Sequence, residues 1–414
     1  MKVCIHRGTK QIGGLCIELE HQGARLVLDL GLPLDADAAL PDLLPPVAGC
    51  RDADASLLGV VVSHPHQDHY GLARRLPAST PLVLGAAAER IIAAAAPFVP
   101  GGVVLRAARH LRDGVPLEIG PFRVTPYLVD HSAYDAYALL VEAGGRRLFY
   151  SGDLRAHGRK AALFERLLAR APRGVDALLL EGSSIGRRPA EDRVPTEADL
   201  ETALAALAQA TSGPVLVGAS AQNIDRVVTV FRAARRTGRL LVIDLYAAAI
   251  LAATGNPNIP QSHWDGVRLF VPAWQRRAIK RQRLFDLLER HARRRVFPED
   301  LAGLAPNAMV LFRASMARDW EEANGLAGAR LVWSQWGGYL NEPAAAGLVA
   351  WCNRLSLPFD HLHTSGHAAV ADLQRLAAAL TAKRVVPIHS FETARYAEFF
   401  SKVARHNDGE WWSL

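Results

Sequence analysis

Residues 60–71 read Val60-Val61-Val62-Ser63-His64-Pro65-His66-Gln67-Asp68-His69-Tyr70-Gly71. The run of three valines fits a buried strand. Four side chains able to bind a metal follow it in the spacing His-x-His-x-Asp-His. Neutral imidazoles and a carboxylate suit zinc, a borderline-soft cation that takes nitrogen and oxygen ligands. On one tight turn these four groups cannot all reach a single ion well, but they can serve two neighbouring ions. A loop of merely solvated histidines has no reason to adopt this spacing.

A single strand-end motif is not a site, so distant parts of the chain must supply further ligands. Asp29 ends the apolar run 26–28, His131 ends the run 127–130, Asp153 follows 148–152, and His389 follows 385–388. Each stands where a strand is expected to stop, the usual place for catalytic groups in layered α/β folds.

These residues carry a resemblance to the metallo-β-lactamase fold hydrolases. Asp29 resembles the family's first motif, 64–69 the second, His131 the third and Asp153 the fourth. The match narrows to the β-CASP nucleases, such as ribonuclease J and the RNA 3′-end processing endonucleases. Glu181, in Leu178-Leu179-Leu180-Glu181-Gly182-Ser183-Ser184, resembles motif A. His367, in His363-Thr364-Ser365-Gly366-His367, resembles motif B, and His389 resembles motif C. A histidine in motif C is typical of the RNA-processing branch, where the DNA-repair branch has valine, so the resemblance favours RNA. Two stretches depart from the family. Motif C continues Ser390-Phe391-Glu392 where many members have Gly-Glu, and motif A is Glu181-Gly182-Ser183-Ser184 where Glu-Ser-Thr-Tyr is frequent. The chain also ends about 25 residues after His389, without the extra C-terminal domain of ribonuclease J. A shorter bacterial or archaeal branch is expected.

The resemblance implies an α/β protein, a metallo-β-lactamase αββα sandwich with an inserted β-CASP α/β domain. It also implies two Zn2+ ions, with Mn2+ as the alternative. His64, His66 and His131 would hold one ion, Asp68, His69 and His389 the other, with Asp153 bridging. The expected reaction is two-metal hydrolysis of a phosphodiester. Asp29 would fix a ligand histidine by accepting its other ring N–H. His367 would contact the scissile phosphate and assist the leaving oxygen, with Glu181 orienting it or keeping it protonated.

The 414 residues exceed the usual single-domain size, and half of them are hydrophobic, enough for sizeable cores. Short strands separated by Gly, Pro and Asp turns through 1–150 suit a two-sheet sandwich covered by helices. From 186 the pattern becomes β-α alternation: helix 197–210, strand 214–218, helix 224–236, strand 239–245, helix 247–253, strand 267–271. This rhythm predicts a parallel or mixed sheet with crossover helices. The expected organisation is therefore 1–185 as the first part of the metallo-β-lactamase domain, 186–355 as the insertion, and 356–414 as the return segment with motifs B and C.

No apolar stretch is long enough to span a membrane. The segment 1–6 reads as a strand and not as a signal sequence, so a cytoplasmic protein is expected. Cys4, Cys16, Cys50 and Cys352 lack metal-binding spacing and read as reduced and packed. The net charge of +7 permits a polyanionic partner without requiring one. Single-stranded RNA is the expected partner and DNA the alternative. Helix N-termini bind phosphate, which makes Ser365 and Gly366, ahead of a helix expected near 369, candidate contacts. Ser220 and Asn223, ahead of the helix at 224, are candidates too, with N-capping as their simpler role, and His363 could add a contact. Residues 274–295 hold nine Lys or Arg against two acids, with Leu284, Phe285, Leu287 and Leu288 at helical spacing. Such a face tracks a nucleic-acid backbone or is simply solvated.

Three other readings compete. They are a DNA nuclease, a thioesterase- or lactonase-like hydrolase on the same metal core, and a non-catalytic nucleic-acid-binding subunit. The last should have lost ligands, and this chain keeps them.

Overall fold

The computed structural model describes residues 1–35, 43–187 and 193–414. The chain divides into two compact units. One comprises Met1–Ala93, Val103–Arg193 and Gly366–Leu414, and the other Ala94–Gly102 and Val194–Ser365.

The first unit holds two sheets. One has seven strands in the order Trp411–Ser413, Lys2–Arg7, Cys16–His21, Ala24–Leu28, Leu57–Val61, Leu82–Gly85, Arg109–Leu111. The other has six, in the order Val385–Ile388, Ala177–Glu181, Arg146–Tyr150, Tyr137–Ala143, Phe122–Leu128, Leu117–Ile119. Side chains of a strand alternate between its faces, and this alternation sorts the core into layers. Leu26, Leu28, Val61, Leu139, Val141, Leu148, Leu179, Val386 and Ile388 share one buried cluster drawn from both sheets. Their neighbours Leu140, Phe149, Leu178, Leu180 and Val385 turn instead to the helices Ala162–Arg170 and Val370–Leu380. On the other side, Val27, Val60 and Val62 pack with Ala88 and Ile92 of the helix Ala86–Ala95. Helix, sheet, sheet and helix thus follow one another, as expected of the αββα sandwich.

The second unit is built on a seven-stranded sheet in the order Arg295–Val296, Val267–Phe270, Leu240–Ile243, Ala308–Phe312, Val215–Gly218, Arg330–Trp333, Phe359–His361. All its pairings are parallel. The helices Glu197–Gln209, Ile224–Arg236 and Leu245–Ala253 appear where the β-α rhythm predicts them.

Some boundaries differ from those read in the sequence. The second unit starts at Val194, where 186 was expected, and runs to Ser365, where 355 was expected. The chain stays longer because Phe359–His361 adds an edge strand beside Arg330–Trp333. The short piece Ala94–Gly102 also belongs to the second unit, a crossing that no local pattern announces. The basic stretch 274–295 is two helices, Ala273–Gln282 and Phe285–His291, broken at Arg283 by a left-handed φ of 56°.

Candidate metal centre

Six strand ends converge in the first unit. Asp29 follows Ala24–Leu28, residues 62–69 follow Leu57–Val61, and His131 lies three residues beyond Phe122–Leu128. Asp153 lies three beyond Arg146–Tyr150, Glu181 closes Ala177–Glu181, and His389 follows Val385–Ile388. The turn after Asp29 is locked onto the histidine motif: Leu30 N–H donates to His69 O (2.8 Å) and Leu32 N–H to Gln67 O (3.0 Å). Gly31 permits this approach, since a Cβ there would stand 1.7 Å from the Asp68 carbonyl oxygen. Asp29 and His389 both have left-handed backbones, with φ of 56° and 51°. Non-glycine residues adopt that conformation infrequently, and strained positions of this kind recur at functional sites.

Two ligand groups form side by side: His64, His66 and His131 in one, Asp68, His69, Asp153 and His389 in the other. Asp153 touches both. Its Oδ2 lies 3.2 Å from His69 Nε2 and 3.8 Å from His64 Nε2, and its Oδ1 lies 3.2 Å from His389 Nδ1. A third group joins Glu181 and His367 to His389.

The partners behind the rings decide which nitrogen faces inward. His69 Nδ1–H donates to Asp29 Oδ2 (2.7 Å), and His131 Nδ1–H to Gly366 O (2.7 Å). The Ser63 hydroxyl gives its proton to Asp29 Oδ2 (2.7 Å), so it accepts from His64 Nδ1–H (3.0 Å). The Ser183 hydroxyl donates to the His389 carbonyl (3.1 Å) and accepts from His389 Nδ1–H (3.0 Å). All four rings therefore carry a proton on Nδ1 and aim Nε2 into the centre. Nε2 of His64, His69 and His389 and Oδ1 of Asp153 are buried with no hydrogen-bond partner among the described residues. Buried polar atoms are rarely left so, and a cation would satisfy all of them. Two nitrogens on one tetrahedral zinc at about 2.0–2.1 Å stand about 3.3–3.4 Å apart, and His66 Nδ1 lies 3.3 Å from His131 Nε2. The donor set fits divalent metal.

Charge and burial agree. Burial pushes His64, His66 and His131 below the ordinary imidazole range, and the neighbouring rings add to it. They are neutral, the form a metal needs. Burial acts in the same direction on His69, but the Asp153, Asp68 and Asp29 carboxylates outweigh it and raise its pKa. An arriving cation would displace that proton. At His367, burial is outweighed by Glu181, whose Oε1 lies 3.3 Å from Nδ1, and by Asp153, raising the pKa to about 9. This ring is cationic at neutral pH.

The expected phosphate contacts divide between the two units. Gly366 lies in the first unit, and a Cβ there would meet Ser132 Oγ at 2.7 Å. The helix after it begins at Val370, four residues on, with Ala369 as its N-cap. His363, Ser365, Ser220 and Asn223 lie in the second unit. Asn223 caps the helix Ile224–Arg236 by accepting from Arg226 N–H (3.0 Å), and Ser220 Oγ accepts from Gln222 N–H (3.2 Å). Burial and the nearby Arg226 guanidinium lower the His363 pKa to about 3, leaving a neutral ring. The four cysteines are free and buried, and none joins a ligand group.

Several residues of the centre escaped sequence reading. Ser63 and Ser183 fix ligand tautomers. The Tyr150 hydroxyl donates to Asp29 Oδ2. Lys160 Nζ donates to the His131 carbonyl (3.0 Å). Tyr396 donates to the Leu180 carbonyl (2.9 Å), and a Cβ at Gly182 would stand 2.0 Å from that hydroxyl. A side chain at 182 would therefore crowd the Tyr396 hydroxyl. The position of Ser63 beside His64 was the one available signal.

A family model described as a beta-lactamase superfamily domain matches residues 26–217. The chain is similar to ribonuclease J of Mycobacterium tuberculosis, at 26% identity over 248 residues, covering 58% of this chain and 43% of that protein. It is also similar to ribonuclease J of Helicobacter pylori, at 22% identity over 232 residues, covering 53% and 33%. The matches thus span less than half the length of these relatives. A crystal structure of a protein of unknown function from Enterococcus faecalis V583 superposes with a TM-score of 0.77 at 21% identity, covering 100% of this chain and 99% of that one, which establishes the same fold. With the ordered motifs and the αββα layers, these likenesses support a metallo-β-lactamase, ribonuclease J-like assignment.

Proposed function

We propose that this chain is a metal-dependent nuclease that hydrolyses phosphodiester bonds of RNA, in RNA processing or decay. The observation that carries the reading is the pair of adjoining ligand groups, with Asp153 of one 3.8 Å from His64 of the other and the cationic His367 beside them. Two zinc or manganese ions are the proposed cofactors. His64, His66 and His131 would hold one, Asp68, His69 and His389 the other, with Asp153 between them. Held there, such ions would supply Lewis acidity, making water more acidic and offsetting charge on the phosphoryl oxygens.

The chain's own residues have separable tasks. Asp29, Ser63, Ser183 and the Gly366 carbonyl keep the ligand rings in the Nδ1–H form. Glu181 stabilises the His367 imidazolium through Nδ1, so Nε2–H is the proton delivered to the leaving oxygen. Such a general acid contributes about 10²–10⁴-fold to the rate. The second unit is proposed to be the β-CASP domain. His363, Ser365 and the turn at Ser220 and Asn223 would meet phosphates there, His363 as a neutral donor. A small ester substrate calls for neither Glu181 nor His367. Similarity to ribonuclease J and the histidine at 389 favour RNA over DNA.

The test compares wild type, Asp68→Ala and His367→Ala on 5′-labelled single-stranded RNA and DNA of one sequence, with zinc or manganese. Cleavage of RNA by wild type, lost in Asp68→Ala and slowed about 10²-fold or more in His367→Ala, is expected. The product ladder separates internal cutting from 5′-end degradation. Cleavage of DNA alone, or of neither polymer, contradicts the reading.

A further inference from the structure

The helix Ala273–Gln282 of the second unit presents a cationic surface that nothing in the metal centre uses. Gln275, Ala278 and Ile279 are its buried side. Arg277, Lys280 and Arg281 recur at i, i+3 and i+4 on the opposite side, and Arg283, in its left-handed conformation, continues the stripe beyond the helix end. All four are exposed, and none forms an ion pair among the described residues. Several other exposed arginines of this unit are paired: Arg232 and Arg236 with Glu201, Arg318 with Glu322, Arg354 with Glu321. Like charges three and four residues apart repel and weaken a helix. The dipole at the helix C-terminus offsets this for Lys280 and Arg281, but Arg277 lies outside the last turn. Two residues after Arg283, Phe285 is 55% exposed. Burying that ring would favour contact with another molecule.

We propose that Arg277, Lys280, Arg281, Arg283 and Phe285 form an accessory binding surface for single-stranded nucleic acid, separate from the residues that cut it. Lys280 and Arg281 lie about one helical turn, roughly 5.4 Å, beyond Arg277, comparable to the separation of successive phosphates on an extended strand. Phe285 gives an unstacked base a ring to stack on, and rings alternating with cations are how sequence-tolerant single-strand binding is built. An anionic membrane fits less well. A helix lying in a bilayer surface needs a broad apolar face turned outward, whereas the apolar side of this helix is buried. The proposal rests on the RNA reading for its biological sense but predicts binding whether or not the centre cleaves.

The experiment measures binding of a labelled single-stranded RNA of roughly 20 nucleotides to the full chain by fluorescence anisotropy, across a salt series, in chelator to prevent cleavage. The proteins are wild type, the quadruple variant R277Q/K280Q/R281Q/R283Q and F285A. Glutamine retains helix propensity, and F285A removes an exposed ring, so folding is preserved and is checked by circular dichroism. Each phosphate contact adds about 0.7 to the salt slope for a single strand. The quadruple variant should therefore lose about 3 from the slope and bind about tenfold or more weakly at about 0.1 M salt. F285A should lose about fivefold or more with its slope intact. Metal-dependent cleavage of a very short substrate should be unchanged in all variants, so loss of cleavage in wild type would count against the nuclease reading alone. Wild-type affinity and slope in the quadruple variant would overturn the proposal. So would no RNA binding by wild type, or a loss confined to binding of phosphatidylserine vesicles.

Discussion

Replacing Asp29 with asparagine keeps the side-chain volume and removes one charge. Asp29 is fully buried and accepts only. Its Oδ1 takes Ser63 N–H (2.6 Å), and its Oδ2 takes Ser63 O–H (2.7 Å), the Tyr150 hydroxyl and His69 Nδ1–H (2.7 Å). An asparagine oxygen can keep the Ser63 N–H, but its amide group then faces three donors. The two hydroxyls can turn and accept. The His69 ring can accept only by moving its proton from Nδ1 to Nε2, the atom aimed at the cation. Loss of the partner behind a ligand histidine costs about 10–100-fold in metal affinity, about 1.4–2.8 kcal/mol. The loss should fall mainly on the ion held by His69. The ion held by His64 should be affected less, since His64 reaches Asp29 only through Ser63 Oγ. Competition with a chromophoric zinc chelator resolves the two binding steps. One weakened and one nearly unchanged step is the expected result. Two steps at wild-type affinity would refute the tautomer argument.

Other predictions concern both units. Gly182→Ala should destabilise the first unit by about 1–3 kcal/mol through crowding of the Tyr396 hydroxyl, and adding Tyr396→Phe should recover part of it, as denaturant midpoints would reveal. In the metal-free protein the His367 pKa is raised from 6.5 to about 9. Its contribution to stability should therefore be complete below about pH 6.5 and lost as pH rises through about 9. Melting temperatures of wild type and His367→Gln across that window should converge with rising pH, and a constant gap would contradict this. Burial raises the thiols of Cys4 and Cys50 to about 12, so a thiol reagent at pH 8 should label them only on unfolding, and rapid labelling of the native protein would argue against their burial. In the second unit, Arg226 is fully buried between Glu197 (3.0 Å) and the Ser334 hydroxyl (2.7 Å). Arg226→Ala should cost about 3–5 kcal/mol by removing the cation from the buried Glu197 carboxylate, and a loss under 1 kcal/mol in urea unfolding would refute that role.

The parts legible in the sequence are those where chemistry restricts spacing. The pattern from His64 to His69 is the spacing a chelating turn would need. The alternation of faces that sends Leu148 inward and Phe149 outward marks strands, and Asp29, Asp153 and His389 were found by standing at strand ends. What escaped depends on contacts between distant strands. Ser183 is one of two serines in its motif, and only the approach of His389 singles it out. Tyr150 reads as an ordinary strand aromatic until the end of Ala24–Leu28 is laid beside it. The break at Arg283 carries no glycine to announce it, and the passage of Ala94–Gly102 into the second unit is decided by packing of Phe98 against Tyr246 and Trp274.

A dinuclear centre is proposed where the six strand ends meet. Anomalous diffraction at the zinc edge, from crystals of the zinc-loaded protein, tests it most directly. Two peaks are predicted, one among His64, His66 and His131 and one among Asp68, His69 and His389, with Asp153 between them. A single peak, or zinc bound away from these side chains, would contradict it.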